Sequence, residues 1–95
     1  MTMKVCIVGA GAIGGFIGTR LAAAGVATSA LARGATLAAL QQHGWRMNTA
    51  AGPVNGPVRA SANAAELGVQ DLVIVAVKGP ALGQVAPQLA PLLAA

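Results

Sequence analysis

Glycines 9, 11 and 14, in Gly9-Ala10-Gly11-Ala12-Ile13-Gly14, are spaced as G-x-G-x-x-G, and the residues on either side decide what that spacing can do. Before them, KVCIV from Lys4 to Val8 is a short continuous apolar run rich in β-branched residues, as expected of a strand buried on both faces of a parallel sheet. After them, Ile13, Phe16, Ile17, Leu21 and Ala24 recur at helical spacing, and Gly25 stands where a glycine cap would, which predicts a helix over about Ala12–Ala24. A glycine triplet between a strand and a helix is the setting in which this motif holds a dinucleotide. Gly9 would permit the tight turn, Gly11 would let the backbone approach a pyrophosphate, and Gly14 would let the helix pack close on the strand. The pyrophosphate would sit on unpaired N–H groups at the positive end of the helix, with Ala10, Ala12 and Ile13 in the same cradle.

The second strand expected, VATSALAR from Val26 to Arg33, carries the next piece of chemistry at its end. Sites for NAD place an Asp or Glu there, ~20 residues past the glycines, on the ribose 2′-hydroxyl. This chain has Leu31-Ala32-Arg33 and no acid. A guanidinium forks onto a 2′-phosphate that a carboxylate would repel, so the site is expected to take NADP(H). Lys78 follows DLVIVAV, Asp71–Val77, the clearest strand in the chain. Ligands of open α/β sheets bind outside the carboxyl ends of strands, where a flexible cation can hold a phosphate or carboxylate.

Other reactive residue types read as structural. His43 precedes Gly44 at a helix end, where a histidine serves the last carbonyls, and no partner acid lies near it in the pattern. Cys6 lies inside the first strand as a small hydrophobe, Asp71 marks a strand entry, and Glu66 belongs to a capping pattern in NAAEL. No metal site and no catalytic residue are expected within the chain.

The remaining elements follow from local pattern. GATLAALQQHG predicts a second helix ending at Gly44, and WRMNT and VNGPVRA flank a turn-rich AAGP as an irregular hairpin. NAAEL predicts one or two helical turns, and Pro80 to Leu93 a helix that Pro87 and Pro91 should kink or divide. Strands alternating with helices predict an α/β fold, a Rossmann-type doubly wound parallel sheet. The pattern stops before the later strands, so residues 1–95 are expected to be an incomplete N-terminal NADP-binding domain with one sheet edge open.

Composition narrows the class. Hydrophobic residues make up 56% of the 95 and charged residues 8%, against ~25% in ordinary soluble domains, so part of the apolar surface should be covered by something else. The longest apolar window, Val5–Gly18, is shorter than the ~20 residues a membrane span needs and is broken by glycines, which also disfavour a signal peptide. The net charge of +4 comes from scattered cations, Lys4, Arg20, Arg33, Arg46, Arg59 and Lys78, and the only aromatics are Phe16 and Trp45. There is no basic stripe or stacking platform for nucleic acid, and an anionic small ligand fits better. A single cysteine excludes an intrachain disulfide and fits a reducing, cytoplasmic setting.

MKVCIVGAGAIGGFIGTRLAAAG, then LAR, then HGWRMN and PVRA around the hairpin, then DLVIVAVKGPAL, together resemble the amino-terminal domain of ketopantoate reductases (2-dehydropantoate 2-reductases). The most diagnostic pieces are Gly14-Gly15, Arg33 and Val77-Lys78. The resemblance implies NADPH on Gly9, Gly11 and Gly14, with Arg33 and Lys78 at its 2′-phosphate and adenine end. Many members carry a polar residue three positions after the lysine, where this chain has Ala81. The resemblance also implies that the family's cofactor-domain asparagine, its catalytic lysine and its substrate-binding glutamate lie beyond Ala95, the last two in a helical carboxyl-terminal domain. A 2-oxo acid, most simply 2-dehydropantoate in pantothenate synthesis, would then be the substrate, with homodimer formation left open. A flavin oxidase would predict an acid ending the second strand. A nucleotide-sensing module without chemistry and other two-domain dehydrogenases, opine or 6-phosphogluconate types, share the same amino-terminal layout.

Overall fold

A computed structural model describes residues 3–9, 11–77, 83, 87 and 89–93. Its elements, in chain order, are β1 (Lys4–Val8), α1 (Ala12–Ala23), β2 (Ala27–Leu31), α2 (Gly34–His43), β3 (Trp45–Thr49), β4 (Gly52–Gly56), β5 (Arg59–Ser61), α3 (Ala64–Leu67), β6 (Leu72–Val75) and a 3-10 turn (Ala90–Leu92).

Four strands form a parallel sheet in the order β5-β2-β1-β6, and β3 and β4 pair as a separate antiparallel hairpin. The chain runs outward from β1 through β2 to β5, then returns to the other side of β1 for β6. Strand alternation sends successive β1 side chains to opposite faces. Val5 and Ile7 pack with Ala22 of α1, Leu40 of α2 and Trp45 of β3, whereas Cys6 and Val8 pack with Ala64 and Leu67 of α3 and with Leu92. Both faces of β1 are therefore covered, as KVCIV demands, and each of its larger aliphatic side chains contributes about 1.5–3 kcal/mol by leaving water. The sheet is the expected Rossmann-type α/β arrangement.

Three expectations change. PVRA is not the second arm of the hairpin: β4 ends at Gly56, and Arg59–Ser61 join the main sheet beside β2. Pro57, which has no N–H for a ladder, breaks the run, and its carbonyl accepts from Thr28 Oγ1 at 3.2 Å. The large apolar residues of α1 do not all face the sheet either. Ile13 and Phe16 are 71% and 54% exposed, while Gly14, Gly18, Thr19 and Ala22 are buried. Gly14 lies against the Gly9 turn and Ile7, and Gly18 against the Trp45 ring, so no side chain fits at those two positions, while Ile17 and Leu21 pack beside them, partly buried. Finally, the strand expected over Asp71–Val77 spans only Leu72–Val75, at an edge of the described sheet with Leu72 and Val75 exposed. Most of the helix expected over Pro80–Leu93 lies outside the described residues, and Pro91 falls within the 3-10 turn.

The short α3 is opened by Asn63, whose Oδ1 accepts from the Ala65 amide at 3.1 Å, a side-chain cap of the kind expected in NAAEL.

Candidate functional site

The carboxyl ends of three strands stand level. Val8 is in register with Leu31 on one side and Val75 on the other. Beyond the ladder, the Gly9 amide donates to the Leu31 carbonyl at 3.1 Å and the Ala76 amide to the Val8 carbonyl at 2.8 Å. The chain passes to one side of β1 and then to the other, so the strand order switches there, the place where open α/β sheets bind their ligands.

The three glycines of the motif have three different physical reasons. Gly9 turns the chain with φ +87°, and a Cβ on it would run into Val77. At Gly14, a Cβ would collide with the Gly9 carbonyl oxygen, so glycine is required there for the turn and the helix to touch. Gly11 has neither constraint among the described residues: its φ is −72°, and a Cβ placed on it would meet none of their atoms within 4 Å. The packing of the described residues does not require glycine at this position, and the space a Cβ would fill opens at the head of α1. That space fits a phosphate approaching the backbone.

Gly11 is the N-cap of α1, and the first helical bond runs from the Gly15 amide to the Gly11 carbonyl at 2.7 Å. The amides of Ala12, Ile13 and Gly14 precede it and are the unsatisfied donors of the helix start, at its positive end. No acid stands in the first turn of α1 or of α2. The chain's two acids, Asp71 and Glu66, lie elsewhere: Asp71 at the opposite, amino edge of the sheet, where its Oδ2 accepts from the Lys4 amide at 2.7 Å, and Glu66 in α3. The carboxyl edge is thus favourable to anions.

Arg33 is exposed and extended at the N-cap position of α2, two residues past the carbonyl that receives the Gly9 amide. It is followed by Gly34 in the left-handed region at φ +65°, which sequence reasoning passed over; a glycine directly after the arginine was the available signal. Ala12 and Ile13 form the exposed first turn of α1. Gly9, Gly11, Ala12, Ile13, Gly14 and Arg33 are therefore gathered at one edge of the sheet. Ala10, Lys78 and Ala81 lie outside the described residues.

A groove of about 680 Å³ runs from Gly11 and Ala12 between α1 and α2 to β3, with Phe16, Thr36, Arg46 and Asn48 on its walls. Arg20 lies 5.6 Å from the centre of the Phe16 ring, and this pair stiffens the outer face of α1. His43 closes α2, whose Gly44 cap takes φ +72°. Cys6 is fully buried, and burial pushes its thiol up to about 11, against a smaller opposing effect of a backbone hydrogen bond with Leu31. A thiol so disposed is not a nucleophile at neutral pH. Among the described residues no three His, Cys, Asp or Glu side chains gather to hold a metal, and no helix is long and apolar enough to cross a membrane.

Comparison with known proteins agrees with the fold. The curated 2-dehydropantoate 2-reductase of Mesorhizobium japonicum is 48% identical over 92 residues, covering 96% of this chain and 28% of that protein. A crystal structure of a candidate ketopantoate reductase from Ralstonia solanacearum MolK2 superposes with a TM-score of 0.95 at 55% identity, over 99% of this chain and 29% of that one. The PanE/ApbA family ketopantoate reductase of Ralstonia eutropha JMP134 gives 0.86 at 35%, over 97% and 31%. The chain thus spans less than a third of the length of these relatives. Residues 5–95 match the family model described as ketopantoate reductase PanE/ApbA, and the chain belongs to that family.

Proposed function

We propose that this chain supplies the cofactor half of an NADPH-dependent reductase of 2-oxo acids, with 2-dehydropantoate as the substrate and pantoate as the product. The observation that carries the reading is Gly11, a glycine that neither backbone conformation nor packing explains, at the head of a helix beside an acid-free strand end.

NADPH, when bound, supplies a hydride for the ketone carbon of the substrate. In this reading the amides at the start of α1 take the pyrophosphate, and Gly11 lets it reach them. Arg33 pairs with the 2′-phosphate through a charge-assisted fork, and the lack of an acid beside it removes the group that would select a free 2′-hydroxyl. Lys78, which follows Val77 in the sequence, would be the second cation for the cofactor, as the family resemblance implies. The proton that the reduced oxygen needs, and the grip on the substrate carboxylate, come from a helical carboxyl-terminal domain outside this chain. The length of the relatives supports that division, as each is more than three times the span matched here. A cytoplasmic location is part of the same proposal and is in keeping with a single free cysteine.

The test is NADPH oxidation by the full-length gene product on addition of 2-dehydropantoate, with other 2-oxo acids as comparators. Turnover that is fastest with 2-dehydropantoate supports the reading. Tight NADPH binding without oxidation of the cofactor by any of these acids would favour a nucleotide-sensing module.

A further inference from the structure

The groups that would hold the bridging pyrophosphate and the 2′-phosphate of one cofactor sit on different elements, the first at the α1 start and the second at Arg33 after β2. The β1–β2 ladder fixes the strands relative to each other, residue by residue from Lys4–Ala27 to Val8–Leu31. It does not by itself fix α1, whose Gly14 lies against Ile7 and the Gly9 turn, whose Gly18 and Ala22 lie against Trp45 and Gly56 of the hairpin, and whose larger side chains Ile17 and Leu21 are only partly buried.

Trp45 supplies the key. It is 1% exposed, and its ring lies so close over Gly18 that a Cβ there would come within 2.6 Å of Cε2 and Cη2. Its Nε1–H donates to Thr28 Oγ1 at 2.8 Å, and that hydroxyl donates on to the Pro57 carbonyl. Thr28 lies three residues before Leu31 in β2, the strand that leads to Arg33. One buried indole therefore bears on the middle of α1 and is pinned by a hydrogen bond to β2. A buried Trp needs a partner for its N–H, so the ring has one seat and α1 has one position against it.

We infer that Trp45 is a positioning residue that sets the start of α1 relative to Arg33, and so tunes the discrimination between nicotinamide dinucleotides with and without a 2′-phosphate. This rests on the cofactor reading above. If the strut shifts, the pyrophosphate cradle and the arginine no longer match one molecule, and only the ligand that uses both is penalised.

Calorimetric titration of NADPH and NADH against the full-length gene product tests it, using wild type, Trp45→Phe, Thr28→Val, Arg33→Ala and the double variant Arg33→Ala/Trp45→Phe, each checked for folding by circular dichroism. Trp45→Phe keeps an aromatic ring over Gly18 and loses the N–H. It should weaken NADPH roughly 3- to 10-fold, in keeping with one lost hydrogen bond, and change NADH less than about twofold. On the Arg33→Ala background the same change should leave NADPH within about twofold, because the coupled partner is gone. Equal weakening of both cofactors, or no change in either, by a folded Trp45→Phe protein overturns the inference. Should Trp45→Phe not fold, the isosteric Thr28→Val decides by the same ratios. An Arg33→Ala protein with unchanged NADPH preference would instead overturn the cofactor reading beneath it.

Discussion

The amide of Gly9 donates to the carbonyl of Leu31 at 3.1 Å, so the phosphate turn begins on the rung where β2 ends. Arg33 follows two residues later, at the head of α2. In the proposed reading, the pyrophosphate and the 2′-phosphate share one ribose and so can lie only a limited distance apart, and this backbone bond, extending the β1–β2 ladder by one step, holds the two protein elements that would receive them. The site is thus a product of strand register before it is a product of side chains.

Gly11→Ala should separate binding from folding. A Cβ at this position meets nothing within 4 Å, and φ is already −72°, so the substitution is sterically free. Alanine is a poorer N-cap than glycine but restricts the unfolded chain, and the two effects offset to within about 1 kcal/mol. Urea unfolding should therefore move little, while NADPH affinity falls by an order of magnitude or more because the methyl group stands where the phosphate must come. Unchanged affinity would show that no ligand uses the space.

Gly14→Ala should do the opposite in order of severity. Its Cβ would strike the Gly9 carbonyl oxygen, a backbone atom that cannot rotate away, so α1 must lift or the turn must open. Overpacking of this kind costs about 1–3 kcal/mol, read as a lower urea midpoint, with loss of NADPH binding alongside. A variant as stable as wild type would contradict the close contact.

Cys6 gives the stability a dependence on alkaline pH. The thiol ionises near 9.0 when free and near 11 in the folded chain, raised chiefly by burial. Below pH 9 both states keep the proton and the contribution is complete. As pH rises from 9 through 11 the unfolded chain alone gains by ionising, which removes roughly 2–3 kcal/mol of stability. The difference in unfolding free energy between wild type and Cys6→Ala should shrink by that amount between about pH 8 and 11. Parallel curves would contradict the burial-driven shift.

Much of this was legible because the signals were local. KVCIV, the glycine spacing and the run ending at Leu31-Ala32-Arg33 each name an element within a few residues, and the strand, the turn into a helix and the strand end lie where they were expected. What was not legible depends on contacts distant in sequence. Ile13 and Phe16 carry helical periodicity yet face outward, since the buried face of α1 is the one that brings Gly14 against the Gly9 turn and Gly18 against Trp45, contacts distant in sequence that periodicity does not announce. Trp45 and Thr28 are 17 residues apart and meet only because the hairpin folds over α1. Arg59–Ser61 belong to the parallel sheet because β2 offers them an edge, a partner that the Gly56-Pro57 break does not announce.

The central claim, that Arg33 selects the phosphorylated dinucleotide, is tested most directly by calorimetric titration of NADPH and NADH against the full-length gene product and its Arg33→Ala variant. Loss of a charge-assisted fork should weaken NADPH by about 10- to 150-fold and leave NADH nearly unchanged. Equal losses for the two cofactors, or tighter binding of NADH than NADPH by the wild type, would contradict it.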